Sequence, residues 1–83
     1  MTQNQRHDLK SELERSAALV KTLRDEILVQ VHLGTLEARA EWNRVEPLIT
    51  QALERAATEV SEKSRAALTE AMQAAKRFRD GHR

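Results

Sequence analysis

Three histidines, His7, His32 and His82, are the side chains here that could move a proton near neutral pH. His7 and His82 stand near the two ends of the sequence, where solvated rings are expected. His32 sits in an apolar stretch, with Val29 three residues before it instead of the Glu of a Glu-x-x-His di-iron pair. It reads as a hydrogen-bonded structural residue. Glu37 and Glu41 lie one helical turn apart, as paired carboxylates might. No histidine pair, glycine-rich phosphate loop, nucleophile elbow, zinc spacing or Ser/His/Asp arrangement accompanies them. They read as the solvated surround of Trp42. No catalytic residue, metal site or cofactor is therefore expected.

Two further residue sets could recognise a partner. Trp42 could anchor another protein; the favoured reading is that it closes the hydrophobic end of a bundle beside Val45 and Leu48, its ring partly exposed. Arg65, Lys76, Arg77, Arg79 and Arg83 form a candidate basic patch for nucleic acid. A basic last turn more commonly complements the helix dipole. Fourteen Lys and Arg against thirteen Asp and Glu leave a net charge of only +1, so no strong field steers the chain to a polyanion.

The elements that must hold these residues are helical. From about Asp8 the chain is rich in Leu, Ala, Glu, Arg and Lys, the strong helix formers. Positions eleven apart match over most of its length, giving rows such as Leu9, Val20, Val31, Trp42, Leu53. A second row runs through Ile27, Ala38, Ile49, Val60 and Ala71, and a third through Leu23, Gly34, Val45, Ala56, Ala67 and Phe78. Such a repeat corresponds to about 3.67 residues per turn and makes a nearly straight apolar stripe. Leu28, Val29, Leu33 and Leu36 add a second apolar face, read as burial from two directions in the middle of a bundle. A strand over Ile27–Leu33 competes through its alternation, but both flanks are helical. Gly34 is expected inside the helix, where it lets a neighbouring helix approach; the alternative is a C-cap that ends the helix before Thr35.

Pro47 is the expected boundary, because it removes a backbone donor and disfavours the helical conformation at Glu46. Asn43 with Glu46 reads as a capping box for a second helix. The expected architecture is all-α: one domain over 1–83, with helices over about 5–43 and 47–79 and a short frayed basic tail over 80–83. The helices fold back as an antiparallel hairpin turning near Asn43–Pro47; one long helix kinked at Pro47 is the alternative, since the stripe keeps its phase there. Twelve of the apolar residues are alanine and there is no cysteine, so the chain is short of material to stabilise two helices alone. Self-association into a four-helix bundle or coiled-coil assembly is expected to cover the stripe.

The function expected from this is non-enzymatic: a module that self-associates through apolar helix faces and scaffolds other proteins. Its partners are a second copy and another helical protein. The eleven-residue repeats punctuated by proline resemble those of exchangeable apolipoproteins in periodicity and composition alone, which implies a lipid or polymer surface as the alternative partner. Mixed charge and an alanine-rich second half fit that less well. Lack of cysteine and of an apolar leader segment fits the cytoplasm.

Overall fold

The structure, a computed structural model, describes residues 2–82, with side chains from residue 8 onward. The chain is all-α, as expected, but it forms three helices: α1 (Thr2–His32), α2 (Leu36–Thr58) and α3 (Glu62–Gly81). The hairpin turning at Asn43–Pro47 is corrected. The chain reverses at Leu33–Thr35 instead, and a second break at 59–61 divides the helix expected over 47–79.

The first turn is made locally. Thr35 takes an extended conformation and its hydroxyl accepts from the Ala38 N–H at 3.1 Å, capping α2. The Gly34 N–H donates to the Val31 carbonyl at 3.1 Å, which tightens the end of α1. Arg39 donates to the freed His32 carbonyl at 3.2 Å. Gly34 is thus not a seat for another helix: it is exposed, and a Cβ there would stand 3.0 Å from the Gln30 carbonyl oxygen of its own helix.

Ser61 organises the second turn. Its hydroxyl accepts from the Ser64 N–H at 3.2 Å and donates to the Glu59 carboxylate at 2.5 Å. Ser64, a polar interruption of the first eleven-residue row, is completely buried and donates to the Glu59 carbonyl at 2.7 Å. Replacing Ser64 with alanine is expected to destabilise the fold by about 0.5–1.5 kcal/mol, because the hydrogen bond from its buried hydroxyl to the Glu59 carbonyl is lost. Urea unfolding followed by circular dichroism reads this; an unchanged midpoint would mean that the buried hydroxyl does not hold the turn.

Pro47 lies inside α2, not at its start. Both Pro47 and Asn43, whose carbonyl it leaves without a helical donor, are on the exposed side, where water can serve that oxygen. Ala38, Trp42, Ile49 and Ala52 are all buried on the opposite side of the same helix. Continuing through the proline places both halves of that apolar row in the core, and this burial outweighs the local penalty.

The three helices make one elongated bundle of 50 × 16 × 16 Å. Glu12 meets Arg65 at 3.0 Å near one end, and Gln30 reaches the backbone of Arg79 and His82 near the other, so α1 and α3 run parallel. α2 runs antiparallel to both. The core is built from Leu13, Val20 and Ile27 of α1, Trp42 and Ile49 of α2, and Leu68, Ala71, Ala75 and Phe78 of α3. Alanine on α3 lets its backbone approach the larger side chains facing it, a large-against-small pattern. Glu12 thus pairs across helices with Arg65, and Glu62 meets the same guanidinium at 3.7 Å from within α3.

Candidate interaction surface

Most residues expected at an interface between chains lie inside one chain. Leu23, Ile27, Val31, Ala38, Trp42, Ile49, Ala71 and Phe78 are buried in the core, with Val45, Leu53, Ala56 and Ala67 half-buried against it. Gly34 sits in the exposed first turn and Val60 in the exposed second one. A third helix therefore does what a second copy was expected to do: it covers the stripe.

Trp42 is only 3% exposed, which corrects the expectation of a partly open ring. Its ring centroid is 5.5 Å from that of Phe78, tilted by 57°, and its indole N–H has no acceptor among the described residues. His82 is not a solvated end residue either. Its ring stacks 4.5 Å from Phe78 and its Nε2 contacts the Glu41 carboxylate. Gln30 Nε2 donates to the carbonyls of Arg79, at 3.2 Å, and His82, at 2.6 Å. One amide from α1 and one carboxylate from α2 thus fasten the last turn of α3 over the aromatic pair. His32 and Glu37 are exposed, and the side chain of His7 lies outside the described residues.

The candidate basic patch does not assemble as one surface. Arg65 is held by Glu12 and Glu62, Arg79 meets Asp80 at 3.1 Å, and Arg77 Nε donates to the Gln73 carbonyl at 3.4 Å. Lys76 and Arg77, being successive helical residues, project about 100° apart. Arg83 lies outside the described residues.

The outward surface holds what the sequence misplaced. Leu28, Val29, Leu33 and Leu36, expected to be buried from a second side, are exposed by 43, 62, 80 and 79%. Each helix of a three-helix bundle has only one inward side, and the core stripe already occupies it on α1 and α2. These residues crowd the turn between the two helices. From Leu36 a solvent-facing line continues along α2 through Ala40, Asn43, Pro47 and Thr50, all exposed and none charged. Its steps of four and three residues are those of one helix face. In a chain one third of whose residues are charged, that line stands out from its surroundings.

Among the described residues no group of three or more His, Cys, Asp or Glu could hold a metal ion, and no helix is long and apolar enough to cross a membrane. One groove between α2 and α3 is lined by Leu48, Ala52, Glu54, Arg55, Thr58 and Ala67. Fold and surface together define an all-α three-helix bundle with an exposed apolar turn. No protein-family model matches the chain, and neither a curated protein nor a solved structure does.

Proposed function

We propose that this chain is a non-enzymatic interaction module that self-associates through the apolar surface around the α1–α2 turn. One observation carries the reading: among the described residues, four of the seven exposed large apolar ones, Leu28, Val29, Leu33 and Leu36, fall within a single nine-residue stretch. Isolated exposed leucines are ordinary, whereas a contiguous group on a small domain marks a contact surface. A lipid surface fits less well, because the repeat that would lie on it is spent in the core. Nucleic acid fits less well because the basic residues diverge and are partly paired with acids.

Static light scattering over a wide concentration range tests this. The expected result is a reversible rise in mass toward a dimer, abolished by Leu36→Asp and kept by Leu19→Asp, a control at another exposed leucine. Both variants are expected to keep their helicity, since neither side chain belongs to the core. A chain that stays monomeric at millimolar concentration would overturn the reading.

A further inference from the structure

We propose that a second copy packs antiparallel on α2, about a two-fold axis passing beside Asn43; this rests on the self-association reading and names its surface. A two-fold interface uses one patch twice, so whatever lies on one side of the axis must suit what lies on the other. The outward line of α2 meets that condition. Asn43 is its middle, and a two-fold there sets Leu36 against the partner's Thr50 and Ala40 against the partner's Pro47. No charge is trapped along the line, and small side chains at Ala40 and Asn43 let the helices approach closely.

The flanking charges select this occupant. On one flank Arg39 lies four residues before Asn43 and Glu46 three after it. On the other flank stands Arg44, while Glu41 turns toward His82 of α3. Arg39 and Glu46 thus lie at nearly the same distance on opposite sides of the centre. Reversing one helix against an identical one therefore brings Arg39 to the partner's Glu46 and Glu46 to the partner's Arg39. A uniformly acidic or basic partner would meet both signs and match neither. The net charge of +1 sets up little repulsion between copies.

The area sets the strength. Leu36 is the one large apolar side chain on this line, among small and polar neighbours, so the contact falls short of the ~800 Å² per partner of a stable interface of standard size. A weak dimer that exchanges rapidly is the expected form.

The chain contains no cysteine, so single introduced ones report cleanly. Asn43→Cys places two thiols across the axis, within the Cα separation a disulfide can bridge. Under mild oxidation it is expected to form linked dimer at least tenfold faster than Gln73→Cys on the exposed side of α3. Glu46→Arg alone is expected to weaken association about fivefold, and adding Arg39→Glu to restore most of it. Circular dichroism confirms that each variant stays helical. Equal linking rates at the two cysteines, in a chain whose mass still rises with concentration, would overturn this geometry and leave self-association standing. A chain that remains monomeric would overturn both.

Discussion

Replacing Trp42 with alanine is expected to cost about 3–5 kcal/mol, whereas replacing it with phenylalanine costs about 1 kcal/mol or less. Trp42 is 3% exposed and packs on Phe78 where α2 and α3 meet beneath the His82 fastening. Alanine leaves an indole-sized hole that a closely packed bundle cannot collapse to fill. A domain of this size has a total stability of roughly 4–12 kcal/mol, so the alanine variant is expected to be largely unfolded at 37 °C. Phenylalanine also loses volume, but it removes the buried indole N–H that has no acceptor among the described residues. A buried donor without a partner costs about 1–3 kcal/mol, and this relief offsets most of the lost packing. Since the only tryptophan is the residue changed, helicity at 222 nm during urea unfolding is the measurement. If phenylalanine proved as damaging as alanine, the indole N–H would have to be bonded and the tryptophan would be held by more than packing.

The pattern of burial was legible because a helix's apolar stripe is local. Leu23, Ile27, Val31, Ala38 and Ile49 face inward whatever covers them, and the eleven-residue rows identify them. What covers them was not legible. Gly34 and Thr35 carry a turn signal, but the apolar phase continues through Ala38 and Trp42 beyond them, and that continuity reads as one helix. Here the rows resume in register after the loop because α2 turns the same stripe toward the same core. At the second break, Ser61 followed by acidic Glu62 is an ordinary helix start. Val60, in phase with its row, masks it, although the structure leaves that side chain exposed.

The surface misreading has the same origin. Leu28, Val29, Leu33 and Leu36 read as interior because apolar residues on two sides of a helix imply two neighbours. With the chain reversed at Leu33–Thr35, those residues surround a corner of the bundle. No rule of spacing reports that a helix ends there except the cap itself. The fastening of α3 was beyond reach for a different reason. Gln30 lies 49 residues from Arg79 and 52 from His82, and neither proximity has a local signature.

Pro47→Ala is expected to stabilise the chain. In a helix interior proline is about 3 kcal/mol less favourable than alanine, from its missing N–H and its clash with the carbonyl four residues back. That carbonyl belongs to Asn43, and alanine would let it accept the usual helical hydrogen bond. Proline also restricts the unfolded chain, which returns up to ~1 kcal/mol. The net gain is about 2 kcal/mol, or roughly 8–16 °C in Tm for a domain of this length. The packed side of α2 is untouched, because Pro47 is exposed while Ala38, Trp42, Ile49 and Ala52 hold the core. The sign separates the two architectures. At a hairpin turn over Asn43–Pro47 the proline would be preorganised for its position, and alanine would lower Tm. A rise measured by thermal melting requires a helix that runs through residue 47; a fall would return the turn to Pro47.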